Sequence, residues 1–189
     1  MRWFEVDKGD PRCRELADRH YSRQTIGHPM WTRPGWNFVL YAEQRNGRSA
    51  VFCWWRPKWE AGVLRKDGLR AIECTIFRNE TRFWSSDLIR DAVAAVQTWE
   101  HAVDVEWPDG LITGVNAAAT AQGRSDASRA GHCFREAGWR DFDHKATKSR
   151  ADVWLRFDGE LPSPERPRVL MRGRPHDPNI LKLMGVPPW

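Results

Sequence analysis

The run Ala71-Ile72-Glu73-Cys74-Thr75-Ile76-Phe77, then Arg78-Asn79-Glu80-Thr81-Arg82-Phe83-Trp84, then Ser85-Ser86-Asp87-Leu88-Ile89, decides the fold. Its first part is apolar or β-branched apart from Glu73 and reads as a strand. Alternation places Ile72, Cys74 and Ile76 on one face, with Glu73, Thr75 and Phe77 on the other. Ser85-Ser86-Asp87 is a helix start, with hydroxyls to cap and an acid in the first turn. Leu88, Ile89, Ala92, Val93, Val96 and Trp99 recur at helical spacing and predict an amphipathic helix to about Glu100. Pro108-Asp109-Gly110 is a turn, and Leu111-Ile112-Thr113-Gly114-Val115 is a short buried strand. Strand, helix and strand in this order imply a right-handed crossover joining a parallel pair.

Upstream, residues 11–21 predict a first helix, followed by a loop carrying His28, Pro29, Pro34 and Gly35. Phe38-Val39-Leu40-Tyr41-Ala42 and Ser49-Ala50-Val51-Phe52-Cys53-Trp54-Trp55 flank Asn46-Gly47 and read as a hairpin. Their near-continuous apolarity implies cover on both faces of the sheet. Downstream, residues 117–130 are small and polar and read as a mobile loop. His132–Ala137 predicts a short helix closed by Gly138. Phe142–His144 and Ala151–Phe157 read as a final antiparallel pair. The order predicts a mixed α/β domain over residues 1–160, with a separate arm over 161–189.

The chain has 189 residues, of which 12 are tryptophan. Its net charge is +5, with 24 of the 30 basic side chains being arginine. Residues 161–189 hold five basic side chains against two acidic ones and 7 of the 12 prolines. Such a stretch is neither a long helix nor a central strand. Two readings of this arm are open: it wraps the domain through Ile180, Leu181, Leu183, Met184 and Trp189, or Arg166, Arg168, Arg172 and Arg174 follow a phosphate backbone. No apolar run is long enough to span a membrane, and the first residues lack a signal-peptide core, so the expectation is a cytoplasmic protein. The four cysteines form no CxxC pair, and no HExxH occurs, so no metal site is predicted.

This layout resembles the acetyl-CoA-dependent N-acyltransferase (GNAT) fold over roughly residues 10–157. The resemblance rests on the 71–115 unit and on Cys133-Phe134-Arg135-Glu136-Ala137-Gly138-Trp139, which is similar to the family's late helix with its Gly-aromatic ending. It implies a central mixed sheet flanked by helices and acetyl-CoA, or a related acyl-CoA, as cofactor. In that fold the cofactor pyrophosphate lies on the N-terminus of the helix after the central strand, where free N–H groups and the helix dipole favour anions. The implied cofactor residues are Arg78, Arg82, Ser85 and Ser86. Two departures stand out: the loop has no glycine, and Phe134 occupies the place where the family often has a proton-donating tyrosine. Arg19-His20-Tyr21-Ser22, followed by the proline- and aromatic-rich loop and the hairpin, also resembles the Mom-like phage enzymes that modify DNA bases. That resemblance implies DNA as partner and a nucleobase as acceptor.

Four residues are candidates for chemistry. Glu73 is a carboxylate on the central strand; partial burial would raise its pKa toward a useful base, whereas a neighbouring arginine would make it structural. His20 and Tyr21 precede the loop that would flank the acceptor, and His20 can exchange protons near neutral pH. Asn116 follows the 111–115 strand, at a sheet end where ligands collect. For nucleic acid, Trp31, Arg33 and Trp59 interleave aromatic and basic side chains, a combination that stacks bases and contacts phosphates. Three functions fit these residues: a DNA-base acyltransferase, a conventional N-acetyltransferase for a small amine or peptide, and a non-catalytic nucleic-acid-binding module.

Overall fold

The structure, a computed structural model, describes residues 3–103, 105–120, 129–143, 152–157, 159 and 171–172. The strands are β1 (Phe4–Val6), β2 (Trp36–Glu43), β3 (Ser49–Arg56), β4 (Ile72–Asn79), β5 (Leu111–Asn116), β6 (Trp139–Asp141), β7 (Asp152–Phe157) and β8 (Met171–Arg172). The helices are α1 (Pro11–Asp18), α2 (Ser85–Val96), α3 (Glu100–Val103), α4 (Ala117–Thr120) and α5 (His132–Glu136). One eight-stranded mixed sheet has the order β6-β7-β5-β4-β3-β2-β1-β8. The β4/β5 and β1/β8 pairs are parallel, and the other pairs are antiparallel. The chain is thus a mixed α/β protein, with β4 and β5 joined through α2 as their sequence order requires.

Both faces of the sheet are covered. Phe38, Leu40, Phe52 and Trp54 point to the larger core, where they meet Leu88, Ile89, Ala92, Val93 and Val96 of α2 and Phe134 of α5. Their strand neighbours Val39, Tyr41, Val51 and Cys53 face the smaller core under α1, with Cys13, Leu16, Ala17 and Trp31. This alternation follows from the pleat and explains why the hairpin is apolar at nearly every position.

β4 breaks the alternation. Cys53 pairs with Ile76 and Trp54 pairs with Cys74, so Thr75 is an extra residue with no partner opposite it. Such a β-bulge flips the facing of every later residue. Ile72 and Cys74 accordingly join the larger core, Ile76 joins the smaller one, and Phe77 packs back against the larger. The sequence expectation of Ile72, Cys74 and Ile76 on one face is therefore corrected.

Other expectations shift as well. α1 ends at Asp18 rather than residue 21, and α2 ends at Val96 before α3 restarts at Glu100. The serines do not cap α2: Trp84 is its N-cap, without a side-chain cap bond, and Ser85 Oγ accepts from Asn79 Nδ2 at 3.1 Å. The expected loop opens as helix α4, capped by Asn116 Oδ1, which accepts from the Ala119 N–H at 2.7 Å; residues 121–128 lie outside the described residues. The strand expected at 142–144 is instead β6 at 139–141, because Trp139 is buried directly after Gly138. β1 and β8 went unread. β8 falls in the expected arm and extends the sheet edge beside Phe4 and Glu5. Arg172 belongs to it; Arg166, Arg168 and Arg174 lie outside the described residues.

Candidate functional site

β4 and β5 pair only through Ile72–Cys74 and Leu111–Thr113. Beyond that point β4 continues on β3 alone, and Gly114–Asn116 continues on β7 alone. The separation starts at the Thr75 bulge, where Thr113 Oγ1 donates to the Cys74 carbonyl at 3.0 Å as the last tie between the strands. Between the diverging halves lies a cavity of about 330 Å³. Cys74, Thr75, Phe77, Thr113, Gly114 and Val115 form its strand walls. Ser85 from α2 and Gly131–Phe134 from the start of α5 complete it.

His20 and Tyr21 line the same cavity. They are held there because the segment after α1 is tied to both strand ends. Arg19 makes a bidentate pair with Glu80 at 2.8 and 2.9 Å, and Arg78 bonds both Glu80 and the Arg19 carbonyl. On the β5 side, the Asn116 N–H donates to Tyr21 Oη at 3.4 Å. The two rings pack at 4.2 Å between centroids. His20 Nδ1 lies 2.8 Å from Ser22 Oγ and 3.3 Å from the Ser22 backbone nitrogen, so Ser22 fixes this edge of the ring.

Burial, reinforced by the Arg78 guanidinium, pushes the His20 pKa down to about 4. The ring is therefore neutral at pH 7. An NMR titration of the imidazole is expected to show a midpoint near 4, against roughly 6.5 for a free histidine. The unfolded chain takes up this proton at a higher pH than the folded chain. The group therefore lowers stability as pH falls through the window from about 6.5 to about 4. A midpoint at the free value would contradict the packing described for His20. Burial also raises the Cys74 and Cys133 pKa values, so both cavity thiols stay protonated.

The remaining candidates are distributed. Of the implied cofactor residues, Ser85 lines the cavity, Arg78 is occupied by Glu80, Arg82 is exposed, and Ser86 is partly buried in the first turn of α2. Asn79 shapes the intervening loop by donating to the Phe83 carbonyl and accepting from the Thr81 N–H, both at 2.9 Å. Asn116 caps α4 and positions Tyr21, but does not line the cavity. Glu73 lies outside it as well: its side chain is 3% exposed, and Oε2 accepts from Arg33 at 2.7 Å and from Arg65. Trp31 is buried in the smaller core, with its indole N–H on the Lys8 carbonyl at 2.6 Å. Trp59 sits near the N-terminal end of β4, its ring covered by the guanidiniums of Arg56 and Arg70 at 4.9 and 5.5 Å. The cavity also gathers residues the sequence did not single out, notably Thr75, Thr113 and the exposed Arg129. No local pattern marks them, because a bulge and a strand divergence bring them together.

The chain matches no family model, no curated protein and no solved structure. Chemically, the cavity is a mostly apolar slot with hydroxyls, one exposed guanidinium and two imidazoles at its edges, that of His20 being neutral. The start of α2, where the Asp87 N–H bonds the Trp84 carbonyl at 3.2 Å, adds through the helix dipole a local preference for negative charge beside Ser85. Among the described residues no group of three metal-ligating side chains assembles, and no helix is long and apolar enough to cross a membrane.

Proposed function

We propose that the chain is a GNAT-like acyltransferase that uses an acyl-CoA to modify a nucleobase in DNA. The observation that carries this reading is the gap between β4 and β5, which opens beside the N-terminus of α2 and is closed by His20 and Tyr21. A narrow slot of about 330 Å³ suits the extended pantetheine of an acyl-CoA, with the acyl end toward Thr75 and Thr113. Arg129 and the first turn of α2 are the groups suited to its phosphates. Transfer requires the acceptor nitrogen to attack the thioester carbonyl. A C–N bond forms, the C–S bond breaks, the nitrogen loses a proton to solvent, and the thiolate gains one. Phe134 cannot supply that proton; Tyr21, which lines the same cavity, is the acid assigned to this role. DNA as acceptor rests on the Mom-like early segment and on the arginine-rich composition.

A second reading, a non-catalytic nucleic-acid-binding module, is favoured by Phe134 and by the bulky Phe83-Trp84 step before α2, with Trp84 79% exposed. Calorimetry with acetyl-CoA separates the two. The expected result is saturable binding to the full chain, abolished when a bulky side chain replaces Thr113. No detectable heat at millimolar ligand would sink the transferase reading. Mass analysis of nucleosides from DNA exposed to the protein and acetyl-CoA then tests the acceptor: a new acylated nucleoside supports DNA, and unchanged nucleosides alongside acylated small amines would replace it.

A further inference from the structure

A second cavity, about 410 Å³, opens on the other side of β4 beneath residues 22–33. Its lining is largely neutral and polar, with Ser22, Gln24, Thr25 and Thr32 facing the buried Trp31. The cations nearby are already matched. Arg23 is paired with Asp18 at 2.6 Å, and Arg33 with Glu73 at 2.7 Å. A pocket with hydroxyls, an amide and the His28 imidazole, whose two arginines are paired, selects a neutral ligand rich in nitrogen and oxygen.

The cavity is also preformed. Arg23 donates to the carbonyls of Met30, at 2.9 Å, and His28, while Asp18 accepts from the Gly27 N–H at 3.0 Å. One ion pair therefore holds both limbs of the 22–33 loop open around the space. Between Asp18 and Glu43 the chain carries three arginines and no carboxylate, so nothing on that segment repels a phosphate strand passing the rim. Arg33 stands there half exposed. Thr75, the unpaired bulge residue, lines this cavity and the acyl cavity alike.

We infer that the cavity beneath residues 22–33 receives a single unstacked base of a DNA strand, with Thr75 as the residue at which it meets the acyl-donor cavity. The inference rests on the DNA-base reading above and adds where the base sits and what keeps its pocket open. Asp18 and Arg23 are positioning residues in it. An extruded or single-stranded base fits because a base within a duplex offers only its edges.

Amide NMR on the full chain, with a short single-stranded DNA oligonucleotide as probe, tests it. The oligonucleotide is expected to shift Gln24, Thr32 and Thr75, and acetyl-CoA is expected to shift Gly114, Cys133 and Thr75. The double variant Gln24→Ala/Thr32→Val, at an exposed and a half-buried position, is expected to bind the oligonucleotide about tenfold more weakly. Asp18→Asn should weaken it similarly while leaving acetyl-CoA binding intact. Shifts confined to other surfaces, or a double variant that binds as tightly as the parent, would overturn the pocket assignment and leave the DNA reading standing. Absence of oligonucleotide binding at any surface would remove both. A free nucleoside that binds this pocket more tightly than the oligonucleotide would replace the DNA strand with a small-molecule acceptor.

Discussion

Glu73→Gln is expected to lower folding stability by about 3 kcal/mol, read as a reduced urea midpoint with an unchanged slope. The cause is the position of the carboxylate inside a charge cluster. Arg65 is 4% exposed at its side chain, with Asp67 on one edge of its guanidinium at 2.5 Å and Glu73 on the other. Arg33 adds the second bond to Glu73, and both arginines lie over the Trp55 ring at 5.2 and 5.6 Å. Two carboxylates balance two guanidiniums. Removing one charge leaves Arg65 buried with half its compensation, and that loss, rather than the worth of the pair itself, sets the cost. Glutamine preserves shape and one acceptor, so the variant should still fold. Transfer activity per folded molecule then separates two roles. Loss of a base lowers kcat at constant KM, whereas loss of an anchor for Arg33 raises KM. An unchanged urea midpoint would show that the cluster does not hold this part of the sheet.

The β4–α2–β5 unit was readable because its signals are local. Leu88, Ile89, Ala92, Val93 and Val96 announce their buried face by spacing alone, and all five are buried. Asn46-Gly47 likewise forms its hairpin turn, with the Gly47 N–H on the Gln44 carbonyl at 2.9 Å. What escaped depends on partners far away in sequence. Nothing in Cys74-Thr75-Ile76 distinguishes a bulge from a regular strand, yet that one residue reverses the later facing and starts the divergence from β5. Glu73 meets arginines 40 and 8 positions away, so its partners could be suspected but not named. β1 has only three residues, Phe4-Glu5-Val6, and a single alternation is too short for a period of two to register. The serines fail as caps because they already lie inside α2, one step past the cap position at Trp84, where Ser85 Oγ accepts from Asn79 instead. The tryptophan count divides in a similar way. Trp54 and Trp139 stack in the larger core, and Trp31 anchors the smaller one, whereas Trp84 stands in solvent beside the proposed cofactor end.

Gly35→Ala is the second large effect, and it links the fold to the proposed base pocket. Gly35 has a φ of 140°, a conformation nearly reserved for glycine. A Cβ built there would lie 2.6 Å from the Arg56 carbonyl oxygen and 2.7 Å from the Trp55 indole nitrogen. The first obstacle is backbone of a central strand and cannot swing aside. The second already donates to the Pro34 carbonyl at 2.9 Å, so moving it costs a hydrogen bond. Asn37 secures the same turn by donating to the carbonyls of Arg33 and Gly35 at 3.2 and 3.1 Å. Strain and the lost bond together predict a loss of about 3 kcal/mol, or a melting temperature lower by roughly 6–12 °C for a chain of this size. Gly47→Ala is the matched control. Its φ is 77°, but no atom lies within 4 Å of the added carbon, so only the backbone preference, about 1 kcal/mol, is lost. Equal melting temperatures for the two variants would refute the steric account. Because Gly35 follows Arg33 by two residues, the displaced turn should also pull Arg33 from Glu73 and weaken oligonucleotide binding, whereas Gly47→Ala should leave that binding unchanged.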